Sequence, residues 1–84
     1  MLIRVKNVNA LDNYELEIEF TNDEIKIFDM KPYLNLPIFQ DLKDPKIFAK
    51  VRVAFNTVQW ENGADFDPDS LYSLSKELVK ETLE

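Results

Sequence analysis

The sequence predicts a small α+β single domain: antiparallel β-hairpins on one side, short helices and a C-terminal helix on the other. Three observations lead there. Tyr14, Leu16, Ile18 and Phe20 alternate with Glu15, Glu17 and Glu19, the period of a strand with one dry and one wet face. Two further apolar segments flank Asn56-Thr57, a second hairpin pattern. Behind Asp67-Pro68, Leu71, Leu74 and Leu78 recur at i, i+3 and i+7, the spacing of one helix face.

The 84 residues suffice for one domain, 1–84, and not for two. A first strand is expected from Ile3 to about Val8, although alternation breaks at Asn7-Val8-Asn9. The next hairpin takes Asn22-Asp23 as a two-residue turn. Phe20 then faces Ile25, Glu19 faces Lys26 and Ile18 faces Ile27, with apolar pairs on one face and an opposite-charge pair on the other. Pro32, Pro37 and Pro45 break residues 30–48 into short pieces with one or two helical turns. Asp44-Pro45 pairs a capping carboxylate with a proline suited to the first helical position, so a short helix is expected there. Around Asn56-Thr57, the same arithmetic pairs Phe55 with Val58, Val53 with Trp60 and Arg52 with Glu61.

The segment from Trp60 to Tyr72 carries the only glycine. Asn62-Gly63 is a turn signal, because both residues tolerate positive φ. Asp67-Pro68 starts the C-terminal helix, which bears Lys76 and Lys80 near its end. Residues 81–84 are expected to fray. The expected core is Val5, Leu16, Ile18, Phe20, Ile25, Ile27, Phe48, Val53, Phe55, Trp60, Leu71 and Tyr72.

Composition excludes chemistry more firmly than it suggests any. The chain has no cysteine and no histidine. Disulfides, Cys/His zinc sites, cysteine nucleophiles, Ser-His-Asp triads and imidazole bases are therefore out of reach of one chain. No run approaches the roughly 18 apolar residues of a membrane span. Met1-Leu2-Ile3-Arg4-Val5-Lys6 lacks the layout of a signal peptide, so the cytoplasm is the expected location. Net charge is −6, and it is concentrated: the first 60 residues carry eight basic against nine acidic side chains, the last 24 two against seven. That balance opposes direct contact with nucleic acid, which needs clustered cations, and suits a basic partner.

Asp65, Asp67 and Asp69 form D-x-D-x-D, but a calcium loop wants Gly at the sixth position and Glu at the twelfth; here those are Ser70 and Lys76. Capping and turn formation explain these residues better. Glu15, Glu17 and Glu19 read as a solvated strand face. Ser70, Ser73 and Ser75 have no base partner, and one glycine cannot build a phosphate loop. Tyr33, Phe39, Phe48, Trp60, Phe66 and Tyr72 could anchor an interface, yet in so small a domain most belong to the core.

The stretch W-E-N-G-A-D-F-D-P-D-S-L-Y, Trp60 to Tyr72, closely resembles the closing signature of the bacterial family called domain of unknown function 2442. Upstream, Tyr14 to Phe20 followed by Glu24 to Asp29 resembles its strand-turn-strand, and Phe39, Leu42 and Phe48 its short helical middle. The resemblance covers roughly residues 3–73. The departures lie in turns: Asn22-Asp23 stands where Asp-Gly is usual, and Glu61 where proline often precedes Asn-Gly. The resemblance implies a compact α+β fold with no established catalytic residues. It also implies frequent encoding beside a small partner of the domain of unknown function 4160 family, in a layout like a toxin–antitoxin pair.

The expectation is thus a non-enzymatic protein-binding module, antitoxin-like toward a small basic partner, with no cofactor and no metal. Its contact residues are expected at Asn62, Asp65, Asp67, Asp69 and Ser70. No direct nucleic-acid or membrane contact is expected, and exposed strand edges permit a homodimer. The alternative is an accessory regulatory domain associated with DNA-binding proteins. A third reading, an enzyme using carboxylates alone, requires a cleft that joins two acidic residues with split pKa values.

Overall fold

The computed structural model describes residues 3–77. In chain order its elements are β1 (Val5–Leu11), β2 (Glu15–Phe20), β3 (Ile25–Asp29), α1 (Pro45–Phe48), β4 (Arg52–Ala54), β5 (Thr57–Gln59), α2 (Pro68–Leu74) and β6 (Lys76–Glu77). Single 3₁₀ stretches occupy Lys31–Tyr33 and Pro37–Lys43, where the prolines were expected to fragment the chain. Strands β1, β2, β3 and β6 form one antiparallel sheet in that order, and β4 and β5 form a separate two-stranded ribbon. The five-stranded arrangement expected from sequence is therefore replaced by four strands plus a ribbon. The backbone N–H of Val5 donates to the carbonyl of Asn56 at 3.0 Å, tying the ribbon tip to β1.

Strand β1 explains the broken alternation. A bulge between Val5 and Asn7 switches the parity of the strand. Val5 points into the core before it, and Val8 and Ala10 pair with the inward Ile18 and Leu16 after it.

The first hairpin is one residue out of the expected register. Glu19 pairs with Ile25, Ile18 with Lys26, Glu17 with Ile27 and Leu16 with Phe28. The loop has three residues, Thr21-Asn22-Asp23. Phe20 N–H donates to Glu24 O at 2.8 Å and Asp23 N–H to Phe20 O at 2.9 Å, with Asp23 at φ 70°. The Asn22 carboxamide oxygen accepts from Glu24 N–H at 3.1 Å, an Asx turn. This register buries Phe28 completely in place of Ile27 and leaves Ile25 41% exposed. Lys26 comes to the core side, where its aliphatic stem is sheltered. Its ammonium lies 3.7 Å from the Tyr72 ring centroid and donates to the Tyr72 carbonyl at 3.1 Å, a cation–π contact.

The second hairpin turns on Phe55-Asn56 instead of Asn56-Thr57, with both φ angles positive (53° and 69°). Threonine is β-branched and resists that conformation. The turn therefore moves back, and Thr57 enters the strand, where its buried hydroxyl donates to Phe66 O. Val53 now pairs with Val58, and Arg52 with Gln59. Trp60 stays in the core as expected, but Val53 is 39% and Phe55 85% exposed. Ile25, Val53 and Phe55 thus leave the expected core, and Ile27 and Tyr72 are half-buried.

The rest of the core stands as expected, enlarged by Phe28, Met30, Leu34, Phe39, Leu42, Val58 and Ala64. Seven aromatic rings run through it in contact. Tyr14 meets Phe48, Phe48 meets Trp60, Trp60 meets Phe39, and Phe39 stacks on Phe66. Phe66 touches both Phe28 and Tyr33, which stack on each other. The indole N–H of Trp60 donates to Phe48 O at 2.9 Å, satisfying the polar end of a fully buried ring.

The C-terminal helix is shorter than expected. It ends at Leu74, and Ser75 turns extended (ψ 153°). Lys76 then pairs with Ile27 as strand, and Leu74 is 53% exposed. Leu78, Lys80 and the fraying expected at 81–84 lie outside the described residues. No helix among the described residues is long and apolar enough to cross a membrane.

Urea unfolding tests this account. Trp60→Ala should lower stability by about 3–5 kcal/mol, the usual loss for a buried large aromatic. Phe55→Asn should leave stability unchanged or raise it by up to about 1 kcal/mol, because Asn suits the left-handed turn position. Asp23→Gly should add about 0.5–1 kcal/mol for the same reason, since the lost Lys6–Asp23 contact at 3.6 Å is exposed and contributes little.

Candidate protein-binding surface

The five residues expected to form a contact site lie along the path from β5 to α2. The Trp60–Ala64 turn repeats the geometry of the first hairpin loop. Trp60 N–H donates to Ala64 O and Gly63 N–H to Trp60 O, both at 2.9 Å, with Gly63 at φ 89°. The Asn62 carboxamide oxygen accepts from Ala64 N–H at 3.0 Å. Its nitrogen donates to Asp41 at 3.3 Å, bridging to the 3₁₀ stretch. Asn62 is thus committed to the turn. A Cβ on Gly63 would meet nothing within 4 Å; the glycine is required by its φ alone.

Asp65 forms an isolated bridge with Gln59 through its backbone. Asp67 caps α2: its carboxylate accepts from Ser70 N–H at 3.1 Å and from the Ser70 hydroxyl at 3.2 Å. Asp67 and Ser70 are the one pair of the five joined by a side-chain hydrogen bond. The capping role expected for Asp67 is observed, and Asp44 caps α1 in the same manner, accepting from Lys46 N–H at 3.0 Å. Asp65 and Asp69 are exposed, and their carboxylates make no hydrogen bond or ion pair to the described residues. Of the five, these two have the charge most available to a partner.

A second polar surface escaped the sequence reading. On the outer face of the sheet, Asn7 donates to Glu19 at 3.0 Å and Asn9 to Glu17 at 3.4 Å. The Glu stripe was legible as a wet face. Its asparagine partners were not: the alternation broken at Asn7-Val8-Asn9 is the trace of the bulge, but it does not say which residues come opposite the glutamates. The hydrogen bond from Asn7, together with the nearby Lys6 ammonium, outweighs the upward push of burial and holds the Glu19 carboxyl below its ordinary value. At the other end, burial pushes Asp29 upward but is outweighed. The backbone N–H and ammonium of Lys31, at 2.9 and 3.2 Å, and the charge of Lys76 leave Asp29 lowered.

The α2 helix is fixed to the first hairpin by a further network. The Tyr72 hydroxyl donates to the Glu24 carboxylate, which also accepts from Asn22 at 2.8 Å, and the Tyr72 ring meets Phe20 edge-on. The acidic segment is therefore held at both ends, by the turn at Asn62 and by the helix behind Asp67.

Residues 5–77 match the sequence profile described as "Protein of unknown function (DUF2442)". The chain belongs to the DUF2442 family. The family description assigns no activity. The fold is similar to the crystal structure of "Putative DNA Binding Protein NE0471" from Nitrosomonas europaea ATCC 19718, with a TM-score of 0.79 and 26% identity. The match covers 89% of this chain and 50% of that one, so this DUF2442 chain spans about half the length of the protein it resembles. Among curated proteins none matches.

Two measurements check the electrostatics. A carboxyl whose folded pKa lies below its unfolded value adds stability at pH above the unfolded value and loses it as pH falls through the folded one. Stability should accordingly decline on acidification below the ordinary carboxylate range. Asn7→Ala should move the Glu19 titration back upward, read by NMR of the side-chain carboxyl. Asp67→Ala should lower stability by about 1 kcal/mol through loss of the cap, whereas Asp65→Asn should leave it unchanged.

Proposed function

We propose that this DUF2442 chain is a non-enzymatic protein-binding module, antitoxin-like toward a small basic partner. The observation that carries the reading is the exposed acidic segment. Asp65 and Asp69 flank the capping Asp67 on a backbone fixed by a turn and a helix start. Charges held on a rigid path meet a complementary surface without the entropy loss of ordering a loop. The absence of Cys and His from the sequence favours binding over catalysis. The alternative is an accessory regulatory domain of a DNA-binding protein. It is favoured by one observation: the similar Nitrosomonas protein is described as DNA binding, and half of it lies outside the match.

The deciding experiment is capture of partners on the tagged chain from its own cell lysate at low and high salt. It is repeated with Asp65→Asn, Asp67→Asn and Asp69→Asn combined, asparagine being chosen because it still caps. The expected result is recovery of one small basic protein, lost at high salt and lost with the triple variant. Recovery indifferent to both would remove the acidic segment from the interface. A shift of duplex DNA by this chain alone would instead favour the alternative.

A further inference from the structure

The outer face of the four-stranded sheet has a regular chemistry that register makes explicit. Asn7, Glu19 and Ile25 lie abreast across β1, β2 and β3; next come Asn9, Glu17 and Ile27, with Lys76 beyond; then Leu11, Glu15 and Asp29. The central strand therefore presents a column of three glutamates. On one side stand two asparagines that hold two of the carboxylates, and on the other stand two isoleucines. Ile25 is 41% and Leu11 38% exposed, whereas the opposite face of β2 is wholly buried. A groove of about 240 Å³ runs between Asn7, Asn9, Glu17, Glu19 and Ile25. The three-residue hairpin loop creates this surface, because the expected register would have turned both isoleucines inward.

From this arrangement we propose that the outer face docks a basic amphipathic helix supplied by a partner protein. The helix would set cations over Glu15, Glu17 and Glu19 and apolar side chains over Ile25 and Ile27. Charge complementarity selects the occupant. Alternate residues of a strand are about 6.8 Å apart, and residues i and i+4 of a helix rise about 6 Å. Lys or Arg at i, i+4 and i+8 therefore stays in step with the three glutamates to within about 1.6 Å. A helix suits this face: the backbone groups of β2 are already paired on both sides, so the glutamate column offers no edge to an added strand, and a helix layered on a sheet is a standard packing. Lys6, 3.6 Å from Glu19, marks the rim. The inference rests on the basic-partner reading and gives that partner a contact surface separate from the Asp65–Asp69 segment.

The test is a fluorescence-anisotropy titration of the full chain with a synthetic helix of about 14 residues. The peptide carries Lys at i, i+4 and i+8 with leucines alongside, and a second peptide has Glu in place of Lys. The lysine peptide should bind and the glutamate peptide should not. Glu17→Gln with Ile25→Ser should weaken binding at least about tenfold, while Asp65→Asn with Asp69→Asn should change it less than about twofold. Both pairs are surface changes, and unchanged circular dichroism confirms folding. Binding lost only in the aspartate variant would overturn this inference and leave the basic-partner reading standing, with its contact on the acidic segment. Failure of the lysine peptide to bind would overturn the docking face, while the lysate capture judges the broader reading separately. A concentration-dependent dimer abolished by Ile25→Ser would assign the face to a second copy and overturn the inference as well.

Discussion

Everything in this small domain leans on one continuous path of aromatic rings with Trp60 at its middle. The rings come from seven separate places: the end of the β1–β2 turn, β3, the 3₁₀ stretches Lys31–Tyr33 and Pro37–Lys43, α1, and the two sides of the Asn62-Gly63 turn. No helix among the described residues exceeds seven residues, too few to be stable alone, and the sequence offers no cysteine for a crosslink. Edge-on and stacked ring pairs add about 0.5–1.5 kcal/mol each beyond the area they bury. They therefore join short pieces that neither helix propensity nor covalent bridges could hold.

That core dictates what is left outside. Once Phe28 stacks on Tyr33 and meets Phe66 edge-on, β3 is locked in the register that turns Ile25 and Ile27 outward. Once Trp60 is seated under Phe48 by its indole hydrogen bond, the chain must reverse within three residues to bring Phe66 back onto Phe39. The acidic segment is the outside of that reversal. The acidic segment and the outer face of the sheet thus both take their form from aromatic packing.

Belonging to DUF2442 fixes the architecture and leaves chemistry to the individual surface, because folds host functions through sites grafted on them. The Nitrosomonas relative shares this fold over half its own length, which sets the present domain beside a protein described in terms of DNA while its own charge is acidic.

The sequence by itself determined the α+β class, the wet and dry faces of β2, both Asp-Pro helix starts and the Asn-Gly turn. Each of these depends on interactions within a few residues: side-chain alternation, a capping carboxylate, a residue tolerant of positive φ. Asn62, Asp67 and Ser70 were legible as turn and cap for the same reason. Only tertiary structure decided the register of both hairpins, the bulge in β1, and the early end of α2, where Ser75 yields the chain to β3. These follow from which aromatic ring fits the shared core and which strand edge needs pairing. Locally, a two-residue loop at Asn22-Asp23 and a three-residue loop at Thr21-Asn22-Asp23 are both reasonable turns; packing Phe28 against Tyr33 and Phe66 breaks the tie, and no nearby residue announces it.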